Sequence, residues 1–164
     1  TCPSHLAAPM AVLRRMGCYI QTEEHSITLR APERLTGAGS IVTLPYPGFP
    51  TDLQAIFMAL AAAAEGYATV TETVFPRRWA HVEELRRMGA DITVAGNCAV
   101  IRGVPLTGAA VTCTDLRAGA AVALAALATA GESTVTALSH IERGYADFVP
   151  TLRALGADIT ITEV

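Results

Sequence analysis

The chain has 164 residues, 51% of them hydrophobic, which is enough to bury one good core and to fold as a single domain. Its net charge of −3 excludes the global positive footprint of a nucleic-acid or anionic-membrane binder. All twelve basic residues are arginine, so a Schiff-base or P-loop lysine is excluded within the chain, and any anion must be held by guanidinium groups or helix N-termini.

Taken in chain order, an amphipathic helix is predicted over residues 6–16, followed by a hairpin around Glu23 and His25 and a connector over residues 36–50. Thr51 followed by Gln54 fits a capping box, with Asp52 in the first turn beside the positive end of the helix dipole. The alanine-rich run over residues 53–64 is apolar on nearly every face and reads as a helix buried all round. It falls short of the roughly 20 residues needed to span a bilayer. Residues 68–75 alternate and are rich in β-branched side chains, so a strand is expected there. Over residues 77–88 Trp79, Val82, Leu85 and Met88 recur at helical spacing, with Glu83, Glu84, Arg86 and Arg87 on the wet side and Gly89 as the stop. Residues 91–94 and 98–101 flank Gly96-Asn97 as a hairpin. A second buried helix over residues 116–130, a strand over residues 133–139 and a final amphipathic helix interrupted early by Pro150 complete the series.

Two phrases recur along this series. Leu13-Arg-Arg-Met-Gly-Cys-Tyr-Ile20, Leu85-Arg-Arg-Met-Gly-Ala-Asp-Ile92 and Leu152-Arg-Ala-Leu-Gly-Ala-Asp-Ile159 start 72 and then 67 residues apart. Thr51-Asp-Leu-Gln-Ala55 and Thr114-Asp-Leu-Arg-Ala118 lie 63 apart, each opening an apolar run closed by Gly66 or Gly131. Self-similarity at that period marks a repeated supersecondary unit of order α, β, α, β, β. The expected division is the second half of a first unit over residues 1–48, a second unit over 49–110 and a third over 111–164, which lacks its last strand. Because repeats need neighbours to bury their faces, the mid-unit start implies a piece of a longer polypeptide, with a processed mature start at Thr1 as the alternative.

Cys2, Cys18, Cys98 and Cys113 lack C-x-x-C spacing, and His5, His25, His81 and His140 are scattered, so neither zinc nor redox motifs are expected. The polar residues that stand where a strand or loop meets a helix N-terminus are Asp52, Arg78, Asp115, Arg117 and Arg143. In a repeat architecture such joints gather on one face, where dipoles and guanidinium forks favour an anionic substrate and a carboxylate can take a proton. The same residues also fit a plainer assignment, in which Asp52 and Asp115 cap helices and the arginines pair with them.

The segments Phe49-Pro-Thr-Asp-Leu-Gln-Ala55, Thr71-Glu-Thr-Val-Phe75 followed by Arg78, Thr114-Asp-Leu-Arg-Ala118, and His140-Ile-Glu-Arg-Gly-Tyr145 resemble, in order, the UDP-N-acetylglucosamine enolpyruvyl transferases (1-carboxyvinyltransferases). The resemblance implies an inside-out α/β barrel domain, one of two similar domains flanking a cleft, and places the chain in the C-terminal part of such an enzyme. It implies transfer of the enolpyruvyl group of phosphoenolpyruvate to the 3′-hydroxyl of UDP-N-acetylglucosamine, with release of phosphate, in peptidoglycan synthesis. No cofactor or metal is implied, and the partners are the two substrates and the rest of the same polypeptide, with neither nucleic acid nor membrane. A soluble, cytoplasmic protein is expected.

Position by position, the resemblance makes Asp52 the group that removes the 3′-hydroxyl proton and Val74 a backbone contact to the UDP-sugar. Arg78 and Arg117 become cleft arginines, Asp115 an aspartate near the reacting carbon, and Arg143 a grip on the phosphoenolpyruvate side. The family's N-terminal lysine and asparagine, and its mobile loop, have no counterpart in the chain, so these residues alone are expected to be catalytically silent. Two other functions stay open: a non-catalytic binding module on the same scaffold, and an enolpyruvyl transferase with a different acceptor.

Overall fold

In a computed structural model of the chain, which describes residues 2–162, the three Leu-Arg phrases fold as three copies of one helix terminus. Helices α1 (Ala7–Arg15), α3 (Ala80–Arg87) and α6 (Phe148–Ala154) each run into a left-handed glycine, Gly17, Gly89 and Gly156. After each glycine the next amide returns to the phrase's leucine carbonyl: Cys18 to Leu13 at 3.0 Å, Ala90 to Leu85 at 3.1 Å and Ala157 to Leu152 at 3.0 Å. This satisfies carbonyls that the helix end would otherwise leave open. The phrase's first arginine then reaches past the turn to the isoleucine carbonyl that ends the phrase, Arg14 to Ile20, Arg86 to Ile92 and Arg153 to Ile159. The repeated sequence is therefore a device that fixes the angle between a helix and the chain leaving it.

The hairpin around Glu23 and His25 forms from β1 (Tyr19–Thr22) and β2 (Ile27–Arg30). The connector over residues 36–50 holds a strand the sequence did not announce, β3 (Gly39–Val42). It pairs parallel with β4 (Tyr67–Thr71), which pairs antiparallel with β6 (Cys98–Arg102), and β6 pairs antiparallel with β5 (Asp91–Ala95). The same parallel pairing recurs between β7 (Ala110–Thr112) and β8 (Thr134–Thr136). The strand expected over residues 68–75 stops at Thr71, because Glu72 turns the chain into a loop, and the one expected over 133–139 gives way to the short α5 (Ser139–Glu142).

Helices α2 (Gln54–Ala63) and α4 (Leu116–Leu127) pack on each other at the centre, and their small side chains allow the close approach. Met58, Ala62, Ala120, Ala121 and Val122 are wholly buried there, with Val70, Leu85 and Ile101 closing the core from the sheet and from α3. Gly103 has no room for a side chain: a Cβ built on it would lie 1.6 Å from the Ala64 carbonyl oxygen. The last helix begins at Phe148 with Pro150 in its first turn, where no intrahelical donor is lost, which is the late start the proline predicts. No helix of the described residues is long and apolar enough to cross a membrane.

Candidate functional site

Both parallel strand pairs end at the same side of the molecule as the N-termini of the two central helices, an arrangement that favours ligands at the carboxyl ends of strands. Two units therefore bring their Thr-Asp-Leu phrases side by side, yet the two aspartates do different things. Asp115 is the N-cap of α4, its Oδ1 accepting the amides of Arg117 at 2.8 Å and Ala118 at 2.9 Å. Asp52 caps nothing. It sits in a single 3-10 turn, Thr51–Leu53, ahead of α2, with its side chain 63% exposed.

The capping box expected at Thr51 does not form, and Pro50 occupies the cap position without a side-chain bond. The Thr51 hydroxyl is engaged elsewhere: it donates to Glu72 Oε2 at 2.9 Å and accepts from Arg78 Nη1 at 2.8 Å. Gln54, wholly buried, donates its amide to the Arg78 carbonyl, and its Oε1 is a buried acceptor without a partner.

Asp52 Oδ1 receives Arg117 Nε at 2.6 Å and Arg78 Nη1 at 3.3 Å. Arg78 and Arg117 come from different units, so this carboxylate ties the start of α2 to the start of α4. The Arg78 guanidinium is mostly enclosed and lies 4.1 Å over the centroid of the Phe75 ring, a cation–π contact. Arg143 follows α5, whose neighbouring Gly144 packs against Leu116 in the first turn of α4. Arg143 is exposed, its amide donates to the Ile141 carbonyl, and its guanidinium makes no hydrogen bond with Asp52 among the described residues. Val74 lies in the loop after β4, and its amide is already committed to Glu72 Oε1 at 2.8 Å, which leaves its carbonyl for a ligand.

Glu72 lies within the Thr71-Glu-Thr-Val-Phe75 phrase, and the sequence alone gives it no role. It is fully buried, and Oε1 also accepts from the Thr43 hydroxyl at 2.7 Å and the Phe75 amide at 2.9 Å. Burial alone would push its carboxyl pKa up, but the hydrogen bonds from Phe75, Thr43, Val74 and Thr51 outweigh it, and the net direction is down. Glu72 is thus a buried anion held by neutral donors.

Around Asp52 the geometry offers one exposed carboxylate and two guanidinium groups that can exchange a carboxylate oxygen for a phosphate oxygen. Among the described residues no three His, Cys, Asp or Glu side chains gather to hold a metal ion.

The sequence profile of EPSP synthase (3-phosphoshikimate 1-carboxyvinyltransferase) matches residues 3–152. The chain belongs to this family. It is 51% identical over 160 residues to the UDP-N-acetylglucosamine 1-carboxyvinyltransferase of Magnetococcus marinus, covering 97% of this chain and 38% of that protein. With the protein of the same name from Synechocystis sp. it shares 51% identity over 162 residues, covering 98% of this chain and 37% of the relative. The enolpyruvyl transferase NikO from Streptomyces tendae superposes with a TM-score of 0.86 at 32% identity, covering 96% of this chain and 36% of that one. EPSP synthase from Acinetobacter baumannii, at 20% identity and a TM-score of 0.65, shares the fold. The enolpyruvyl transferase fold expected from the resemblance is therefore present. The chain spans little more than a third of the length of the curated relatives it matches. These matches do not place it in their C-terminal part, as the resemblance implied.

Proposed function

We propose that this segment supplies one wall of the active site of a cytoplasmic UDP-N-acetylglucosamine enolpyruvyl transferase of peptidoglycan synthesis. The observation that carries the proposal is the exposed Asp52 carboxylate bound by Arg78 and Arg117 from two successive units, within a family of 1-carboxyvinyltransferases. Asp52 removes the proton of the sugar 3′-hydroxyl as that oxygen bonds to the central carbon of phosphoenolpyruvate. When the substrates enter, Arg78 and Arg117 turn from Asp52 to phosphate or carboxylate oxygens, which neutralises the anions and frees the aspartate to act as base. Arg143 holds the phosphoenolpyruvate side; as the oxygen adds, the terminal methylene takes a proton from an acid on the facing wall, and when that carbon gives a proton back the enolpyruvyl double bond re-forms and phosphate leaves. Asp115, with Oδ1 spent on its helix, has Oδ2 to present toward the reacting carbon. Val74 offers its backbone to the nucleotide-sugar.

Two polyanionic substrates need the facing wall as well, so the three-unit segment over residues 1–164 is silent by itself and acts with the rest of a longer polypeptide. Positioning lost with that wall is worth roughly 7–11 kcal/mol of the barrier. Phosphate release from phosphoenolpyruvate and UDP-N-acetylglucosamine should be absent for the isolated chain and present for a polypeptide of the relatives' length carrying it. In that longer protein Asp52→Asn should lower turnover by roughly 10²–10⁴-fold with the fold retained. Turnover by the isolated chain, or unchanged turnover in Asp52→Asn, would refute the assignment. A second reading is an enolpyruvyl transferase with another acceptor. Saturable binding of UDP-N-acetylglucosamine to the longer protein excludes it.

A further inference from the structure

We propose that Glu72 is a positioning residue for Arg78, fixing the direction of the Thr51 hydroxyl and the seat of the Phe75 ring so that the guanidinium is held ready for an anion. The inference rests on the proposed role of Arg78 at the site.

The chemistry follows from donors and acceptors. An ionised carboxylate only accepts, so the Thr51 O–H must point at Glu72 Oε2, and the hydroxyl's lone pairs are left to face Arg78 Nη1, 2.8 Å away. An arginine only donates, so this is the one polarity in which both bonds exist. Oε1 meanwhile collects the amides of Val74 and Phe75. That pins the backbone from which Phe75 presents its ring to the guanidinium, 4.1 Å from ring centroid to Cζ. Glu72 therefore grips Arg78 from two sides without touching it.

An internal control supports the reading. Ala68-Thr-Val-Thr-Glu72 and Ser133-Thr-Val-Thr-Ala137 are equivalent ends of β4 and β8, and the third unit has alanine where the second has Glu72. In that unit Thr114 makes no such bond and its aspartate turns back to cap a helix. Among the described residues the buried carboxylate is present only in the unit that carries the exposed aspartate.

Glu72→Gln keeps the shape and reverses one polarity. With Oε1 still serving Thr43, Val74 and Phe75, the new NH2 donates toward Thr51, whose own proton then has no acceptor, because Arg78 offers none. In the longer protein, Glu72→Gln and Thr51→Val should each raise the apparent KM of at least one anionic substrate about tenfold, with kcat changed less than about threefold. The double variant should be no worse than Glu72→Gln alone within about twofold, and Thr51→Ser should behave as the parent. A lowered melting temperature with both KM values unchanged, or single effects that multiply in the double variant, would overturn the proposal. If Glu72→Gln does not fold, Thr51→Val decides alone, and an unchanged KM overturns it. Should the parent turn over neither substrate, the functional reading falls and Arg78 is read directly by NMR. Separate Nη1 and Nη2 signals in the parent that merge in Thr51→Val support the relay, and signals unchanged between the two reject it.

Discussion

His81→Gln isolates a pH dependence built into the floor beneath the site. His81 is 1% exposed on the inner face of α3, with Nε2 3.2 Å from the Met58 sulfur, a weak partner that gives a charged imidazolium nothing to replace water. Burial pushes its pKa down from 6.5 to about 4, and the Asp115 carboxylate pulls only weakly the other way. The unfolded chain therefore takes up a proton near pH 6.5 that the folded chain refuses until about pH 4. Stability from this group is complete above 6.5, is lost as the pH falls between the two values, and levels off below about 4. That gap corresponds to about 3 kcal/mol. The Glu72 pKa is lowered as well, so its contribution is likewise present above the ordinary carboxylate value of 4.5 and lost as the pH falls through its folded value. Denaturant unfolding of the chain and of His81→Gln across this range separates the two, because the variant keeps Glu72. The stability difference between parent and variant should shift by about 3 kcal/mol toward the variant from neutral pH to pH 4. A difference constant within about 0.5 kcal/mol across that range would show that His81 charges as easily folded as unfolded, and the burial argument would fail.

The two aspartates of the repeated phrase should separate cleanly in stability measurements. Asp115→Ala removes the cap of a twelve-residue helix and should cost about 1–2 kcal/mol, whereas Asp52→Ala should cost under about 0.5 kcal/mol because only exposed ion pairs are lost. Equal losses in urea unfolding would mean that Asp52 is structural after all. Among the glycines, Gly103→Ala should lose upward of about 3 kcal/mol, since its Cβ would lie 1.6 Å from the Ala64 oxygen and neither backbone can yield. Gly96→Ala, left-handed at φ +61° but with open space around it, should lose only about 1–2 kcal/mol, and a reversed order in thermal melts would contradict the packing described.

The helices and the β5–β6 hairpin were legible because each is a local pattern: an apolar stripe, a glycine stop, a Gly96-Asn97 turn. The strands β3 and β7 were not, because each buries a single residue, Ile41 or Val111, and finds its partner 29 or 24 residues later. Their signal lay in a third repeated phrase, Thr36-Gly-Ala38 and Thr107-Gly-Ala109, whose threonine amides both return to the methionine ending the preceding helix, Met16 and Met88. Both glycines pass against a backbone carbonyl, of Tyr67 and of Glu132, too closely for any side chain. The gathering of Asp52, Arg78 and Arg117 was legible because a repeat brings equivalent joints together. Glu72 was missed because an acidic residue in a β-branched run reads as a solvated position, and nothing local reveals four donors converging on it from Thr43, Thr51 and the following loop. The capping box failed for the same reason: Thr51 had stronger partners than its own helix.

The divergence of the two Thr-Asp-Leu phrases shows how one repeated joint yields both a scaffold and a chemical group. In the third unit the residue after β8 is Ala137 and Asp115 is fully extended at φ −156°, ψ 177°, so its side chain folds back onto the first amides of α4. In the second unit Glu72 draws the Thr51 hydroxyl inward, and the chain takes a 3-10 turn before α2 can begin. The turn carries Asp52 past the cap position, and its carboxylate projects outward to Arg78 and to Arg117 of the next unit. A single buried carboxylate thus separates two identical phrases, one capping a helix and the other projecting its aspartate outward between two arginines. The loss is the cap on α2, and the buried apolar faces of α2 packed on α4 hold that helix without it.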